Sequence, residues 1–249
     1  MPLLSLVIIT RNEERNIARC LTSVQGVVDE IVVVDSFSTD ATKQICEGFG
    51  VRFMQHSWLG YSGTKNFGNS QARHNWILSL DADEALSPEL RTSILELKKG
   101  DRMVRGSFNR LTSYCGKWIR HSGWYPDTKV RIFNRQGTEW RGEIHEELAH
   151  ATEEEPFHLK GDCLHYSYYT VTQHLRQTEK YTDLSAKELF EKGKKSTLVK
   201  LHVSPLLTFI RNYVFKLGFL DGDEGLMIAK VSAVSVRLKY QKLKKLGSR

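Results

Sequence analysis

Trp76-Ile77-Leu78-Ser79-Leu80-Asp81-Ala82-Asp83 is the stretch on which the reading turns. A short apolar run of strand length leads directly into two carboxylates separated by one alanine. Alternation along an extended chain turns Asp81 and Asp83 to the same side, at the mouth of the strand. Two carboxylates there suit a hard divalent cation, because Mg²⁺ keeps several waters and is completed by substrate phosphates.

Three further strands precede this one: Leu3–Thr10, a continuous apolar run rich in β-branched residues, Glu30–Asp35, a second short apolar run, and Val51–His56. Between them lie helical patterns. One starts at Asn12, carries Ile17, Cys20, Leu21 and Val24, and stops at Gly26. A second, expected to be capped by Ser38, carries Ile45 and Phe49. After Asp83, Ser87-Pro88 opens a third helix, with Leu90, Ile94 and Leu97 on its face and Gly100 as its stop. Strand–helix alternation with near-continuous apolar strands predicts an α/β fold, a mostly parallel sheet covered on both faces. Ligands bind such sheets beyond the carboxyl ends of the strands. The polar residues at those ends are Thr10-Arg11-Asn12-Glu13, Asp35-Ser36 and Asp81-Ala82-Asp83. Asp35 is expected to be free to meet a base or ribose. Lys65, in Lys65-Asn66-Phe67-Gly68, supplies a cation that would offset diphosphate charge, the alternative being a lysine on a surface loop.

The 249 residues are 40% hydrophobic and 26% charged, which excludes a largely disordered chain. Four scattered cysteines (Cys20, Cys46, Cys115, Cys163) make neither a disulfide framework nor a cysteine-rich zinc module. No basic stretch precedes the first apolar run, so no signal peptide is expected there. The most apolar later stretch, Val203–Leu220, is interrupted by Arg211, Asn212 and Lys216, so a soluble chain is expected. The formal charge of +7 is unevenly placed: Lys187–Arg249 holds 14 Lys/Arg against 5 Asp/Glu, and the rest of the chain 22 against 24. Past residue 102 the pattern becomes mixed, with strands at Arg102–Ile119 and Lys129–Asn134 and a helix at Thr170–Lys192. Ser204–Leu246 reads as two basic amphipathic helices split at Asp221-Gly222.

Taken together, V-I-I-T-R-N-E-E (Val7–Glu14), V-V-D-S-x-S-T-D-x-T (Val33–Thr42), K-N-F-G (Lys65–Gly68) and L-D-A-D (Leu80–Asp83) resemble the family-2 glycosyltransferases of GT-A fold. Later segments resemble the branch of small lipopolysaccharide-core β-glucosyltransferases. They are Trp124–Asp127, Lys129–Phe133, Gly142–Leu148, Leu164–Tyr168 and Phe219–Gly222. The resemblance implies a Rossmann-like GT-A domain over residues 1–185, with a basic helical extension over 186–249. It implies that Thr10, Asn12, Glu13 and Asp35 hold the uridine of a nucleotide sugar, with Lys65 near the nucleotide or diphosphate. Asp81 and Asp83 would serve a divalent cation (Mg²⁺ or Mn²⁺) and the sugar ribose. This chain has Asp35-Ser36 where the broader family often has two aspartates, and His145-Glu146 where the family's base comes from a Glu-Asp pair.

The implied reaction is inverting transfer of a sugar from a nucleoside diphosphate, with UDP as the expected carrier, to a glycolipid or lipopolysaccharide-core hydroxyl. Glu146 is the candidate base, with Glu143 in reserve. His165 is a candidate third metal ligand. Trp124, Tyr125, Asp127 and Arg131 are acceptor-binding candidates, since aromatic faces stack on pyranose rings and a carboxylate fixes hydroxyls. Two alternatives stand beside this. A nucleotidyltransferase would normally carry a Gly-rich loop after the first strand, and Thr10–Glu14 has no glycine. A non-catalytic surface-binding protein would leave Asp35, Asp81 and Asp83 without a role. The near-neutral first half offers no basic face for nucleic acid, so none is expected as a partner. The tail's Lys239, Lys242, Lys244 and Lys245, beside Val234, Leu238, Leu243 and Leu246, fit an anionic inner leaflet. The expected location is therefore cytoplasmic, peripheral on the inner face of the membrane.

Overall fold

A computed structural model describes residues 2–100, 103–142, 146–150 and 154–247. In chain order the elements begin β1 (Leu4–Thr10), α1 (Ile17–Val24), β2 (Glu30–Asp35), α2 (Thr42–Gly48), β3 (Arg52–Gln55), α3 (Gly60–Gln71), β4 (Trp76–Asp81), β5 (Glu84–Leu86) and α4 (Pro88–Lys99). There follow β6 (Gly106–Tyr114), β7 (Lys117–Ile119), β8 (Thr128–Asn134), β9 (Thr138–Arg141), β10 (Glu147–His150), β11 (Phe157–Tyr168), α5 (Val171–Glu191), α6 (Ser204–Ile210) and α7 (Gly222–Gly247). The chain forms two compact units. The first is Met1–Arg110 with Asp127–His165; the second is Leu111–Pro126 with Tyr166–Arg249.

In the first unit, β3-β2-β1-β4 run parallel, and the sheet continues in the order β8, β6, β11, β5, with the pairs β4–β8, β8–β6 and β11–β5 antiparallel. Every residue of β1 is buried, because it lies between two parallel neighbours with both faces covered. Leu4, Leu6 and Ile8 enter one core cluster, and Val7 and Ile9 enter the other. Register sets the functional edge: Thr10 pairs with Asp35 and Ile9 with Asp81, so the strands end level.

Local starts differ from the sequence reading for identifiable reasons. The first helix begins at Ile17 rather than at Asn12, because Asn12 adopts a left-handed conformation (φ 57°) that asparagine tolerates. Its backbone N–H donates to Ser38 Oγ (2.8 Å), and its Oδ1 accepts from the Thr39 N–H (2.8 Å). Ser38 is thereby withdrawn from capping; α2 begins at Thr42, whose N–H donates to Asp40 Oδ1 (3.0 Å). The Ser87 cap holds as read, accepting from the Leu90 N–H (3.2 Å).

The Lys65–Gly68 motif is helical, not a surface loop, and each residue has a separate task. Lys65 is buried. The Asn66 amide donates to the Trp140 carbonyl and accepts from the Trp140 N–H, both at 2.9 Å. Phe67 packs against the second core cluster. Gly68 lets α3 lie directly on the sheet, since a Cβ there would stand 2.6 Å from Val7 Cγ1 and 3.2 Å from Val34 Cγ2.

In the second unit, Tyr114, Ile119 and Ile228 form a small core with Trp124, Tyr168 and Val171 against it. Buried Asp221 organises the 120–122 backbone. Its carboxylate accepts from the N–H groups of Arg120 (3.2 Å) and His121 (3.0 Å) and from Ser122 Oγ (3.1 Å), while Lys117 Nζ donates to its carbonyl (2.7 Å). The expected pair of C-terminal helices is present, interrupted around Gly218–Asp221. The basic stripe on the last of them is corrected, however. Lys242 reaches Glu179 and Asp183 of α5 at 2.8 Å each, and Leu243 is buried, so both are used within the unit. Residues 185 and 186 fall inside α5.

Gly68→Ala is expected to cost about 1–3 kcal/mol, the usual range for overpacking a core contact, because Val7 and Val34 must yield. Urea unfolding at neutral pH measures it; an unchanged midpoint would mean that α3 does not need this close approach.

Candidate active site

The site grows from the level carboxyl edge of β1, β2 and β4 in the first unit. Lys65 projects from α3, and its side chain is only 2% exposed. A buried ammonium must be paired, and this one is paired twice: Nζ lies 3.0 Å from Asp81 Oδ1 and 2.8 Å from Glu146 Oε1. It also sits 4.8 Å from the centroid of the Trp140 ring, whose π face favours a cation. Asp81 and Glu146 keep 29% and 19% of their side chains exposed, so both retain a face toward solvent.

From Asp81 the charges continue in alternation. Arg131 Nη2 lies 3.2 Å from Asp81 Oδ2 and 3.1 Å from Glu84 Oε1. Arg110 Nη1 stands 3.6 Å from Glu84 Oε1, and its Nη2 lies 2.8 Å from Asp127 Oδ2. Lys129 Nζ closes the run, 3.0 Å from Asp127 Oδ1. Burial would raise the Asp81 carboxyl, but Lys65 and Arg131 outweigh it and hold the group well below the usual carboxylate range. Burial likewise works against the charged guanidinium of Arg131, and Glu84 and Asp81 reverse the balance and raise it. Among the described residues, Arg131 Nη1 and Trp140 Nε1 are buried donors without a hydrogen-bond partner.

Glu84 is the member of this network that sequence reasoning missed. Its side chain is fully buried, it meets both arginines, and Oε2 accepts the Asp81 N–H at 2.9 Å. Only its position just after the two aspartates hinted at this.

Asp83 turns to His165, with Oδ2 3.2 Å from Nε2. Burial lowers the histidine, but Asp83 prevails and raises it. Among the described residues, no three His, Cys, Asp or Glu side chains converge as a metal cage. A carboxylate beside an imidazole is nevertheless a fitting oxygen-and-nitrogen donor pair for a cation whose other ligands come from substrate and water. Each oxygen of Asp81, by contrast, already has a cationic partner.

At the strand ends, Glu13 has its carboxyl raised by burial, with Asp83, Asp40 and Asp81 adding to the effect against a bond from Asn16. Thr10 Oγ1 and Ser36 Oγ are buried without partners among the described residues. The expectation that Asp35 is free is corrected. It is fully buried, its carboxylate bonds the Ser38 hydroxyl, and Oδ2 accepts from the Ser38 N–H (2.9 Å) and Gln55 Nε2 (3.1 Å). Phe37, next to this loop anchor, holds a left-handed conformation (φ 57°) with its ring exposed.

The acceptor candidates divide. Asp127 and Arg131 belong to the charge network, and Arg131 is buried rather than open to an acceptor. Trp124 and Tyr125 belong to the second unit. There Trp124 packs edge-on to Tyr114 (5.8 Å) and near Tyr168 (5.9 Å), and Arg120 lies over Tyr125. Glu143 lies outside the described residues.

Truncating the hub should be costly: Glu84→Ala is expected to lose about 3–5 kcal/mol, since it leaves the buried Arg131 guanidinium, and the half-buried Arg110 beside it, underpaired. Equilibrium urea unfolding checks this, and a loss under about 1 kcal/mol would show that the network closes without Glu84.

Comparison with known proteins identifies the family. The profile described as Glycosyl transferase family 2 matches residues 5–150. An uncharacterized glycosyltransferase of Rickettsia typhi is 30% identical over 99% of this chain and 88% of its own length. The lipopolysaccharide core biosynthesis glycosyltransferase LpsC of Rhizobium meliloti is 29% identical, covering 94% of this chain and 91% of its own. In fold the chain resembles Staphylococcus aureus TarS 1-349, solved in complex with UDP-GlcNAc, with a TM-score of 0.51 and 14% identity over 99% of this chain and 91% of that one. The edge residues Thr10, Asp35, Asp81 and Asp83 all fall inside the matched region, and the chain belongs to glycosyl transferase family 2, a glycosyltransferase of GT-A fold.

Proposed function

We propose that this glycosyltransferase moves a sugar, with inversion, from a UDP-sugar to a hydroxyl of a lipopolysaccharide-core or related glycolipid acceptor. One juxtaposition carries the reading: a single buried ammonium, Lys65, joins Asp81 of the donor edge to Glu146, the candidate base. The acceptor class is supported by likeness to LpsC, whose name assigns that protein to lipopolysaccharide core biosynthesis.

In this reading Thr10, Asn12, Glu13 and the loop anchored by Asp35 receive the nucleoside, and the unpartnered Thr10 and Ser36 hydroxyls are available to it. Asp83 and His165, with Asp81 beside them, would hold Mg²⁺ or Mn²⁺, which when bound supplies positive charge against the leaving diphosphate. The acceptor oxygen attacks the anomeric carbon, the bond from that carbon to the diphosphate oxygen breaks, and its electron pair leaves with UDP. Glu146 takes the acceptor proton. Lys65 and Arg131 keep fixed positive charge at the donor edge without reorganising during the step. Trp124, Tyr125 and Asp127 are assigned to the acceptor. Catalysis is placed in residues 1–185. Residues 186–249 are assigned to an anionic membrane surface, on the cytoplasmic side where a nascent glycolipid is reached.

Mass-spectrometric turnover of UDP-sugars with Mg²⁺ or Mn²⁺ tests this. Chelation should abolish transfer and added cation restore it. Asp83→Ala is expected to be inactive with either cation, and Glu146→Ala to fall about 10²–10⁴-fold, the usual worth of a general base. Transfer by Glu146→Ala at the parent rate would remove Glu146 from the base role.

A further inference from the structure

The second unit carries a surface that the transfer reaction does not use. From Leu198 to Leu220 the chain is helical for most of its length, and α6 within it buries none of its residues. Leu198 (72% exposed), Leu206 (59%), Leu207 (58%) and Phe215 (76%) are far more open than apolar side chains of a packed helix. Val199, Val203, Leu206, Leu207 and Val214 recur at helical spacing, which makes one apolar stripe along this segment. No helix among the described residues is long and apolar enough to cross a membrane. The stripe therefore suits a helix lying in an interface.

Beside the start of this stripe is a cavity of about 370 Å³, lined by Leu201, His202, Arg237, Gln241, Lys244 and Lys245. The four lining residues from α7 are spaced i, i+4, i+7 and i+8, a single face of that helix. Three of the six lining side chains are permanent cations, and none is a carboxylate. The cavity has the size and charge for a phosphate group, and the neighbouring Val199 and Val203 supply the apolar border that a soluble phosphate would not need. A second copy of the chain is a poor occupant, because residues 187–249 carry 14 basic against 5 acidic groups and would repel their own image.

We propose that the cavity and the stripe together form a docking surface for a bilayer rich in anionic phospholipid. Arg237, Lys244 and Lys245 hold a lipid phosphate, and Leu206, Leu207 and Phe215 enter the acyl boundary. This rests on the assignment of residues 186–249 to a membrane; it keeps Lys244 and Lys245 of the Lys239–Leu246 stripe, adds Arg237, and extends the contact to the 198–215 segment.

The test is co-sedimentation of the full chain with phosphatidylcholine vesicles, with and without 30% phosphatidylglycerol, at one ionic strength. The parent is expected to bind the anionic vesicles at least tenfold more tightly. Arg237→Gln/Lys244→Gln should lose that preference, Leu206→Ser/Leu207→Ser should lose binding about tenfold, and Lys194→Gln/Lys230→Gln, away from the cavity, should stay within about threefold of the parent. Thermal unfolding of each variant verifies its fold. Cavity variants that bind like the Lys194/Lys230 control overturn the headgroup site while leaving the membrane assignment standing. A parent that ignores anionic vesicles overturns both. Stabilisation by inorganic phosphate without vesicle binding would make the cavity a soluble-anion site and also overturn the docking surface.

Discussion

A lysine taken out of water is the constraint around which this molecule is arranged. The Lys65 ammonium has no solvent to neutralise it, so the fold must bring carboxylates to it, and it brings Asp81 from β4 and Glu146 from the segment before β10. Several features exist to satisfy that demand. Gly68 removes a side chain so that α3 can approach the sheet, and Asn66 ties the same helix to the Trp140 backbone. Trp140 then presents its ring to the ammonium. Because Asp81 has a second oxygen, the demand propagates to Arg131, Glu84, Arg110 and Asp127, each charge answered by the next. The result is a set of charges whose positions are fixed before any substrate arrives, which is the condition under which fixed charges aid group transfer most.

Strand register does the rest of the assembly. Level pairing of Thr10 with Asp35 and of Ile9 with Asp81 places residues far apart in the chain on one edge, with no requirement for long loops to find each other. The price is paid in loops after β1 and β2, where Asn12 and Phe37 both hold left-handed conformations.

How much of this could be read in advance depended on whether a residue's partner was local. Strands β1, β2 and β4 were legible because burial on both faces writes an apolar run into the sequence, and the Ser87-Pro88 start was legible because its cap is three residues away. Asp81, Asp83 and Lys65 stood out by type and place. Glu84 did not, because its partners Arg131 and Arg110 are distant in sequence and nothing in a lone glutamate announces full burial. Asp35 was misjudged for the same reason: Gln55 reaches it from twenty residues away. Ser38 was the right residue type for a cap but was already committed to Asn12 and Asp35. The antiparallel strands beyond β4 were legible only in part, since half-polar strands lack the continuous apolar signature. In the tail, charge counting recognised a basic surface. It could not tell that Lys242 is answered by α5 while Arg237 lines a cavity.

The carboxylate of Asp221 gives the chain a form of interdependence that its division of labour conceals. The backbone at residues 120–122, leading into Trp124 and Tyr125, takes its shape from an acid a hundred positions later, lodged between the two last helices. The C-terminal segment is therefore scaffold as well as surface. A shortened chain ending near residue 185 would lose the template for that loop. In this protein the C-terminal segment and the 120–122 backbone form one structural piece, split across the sequence.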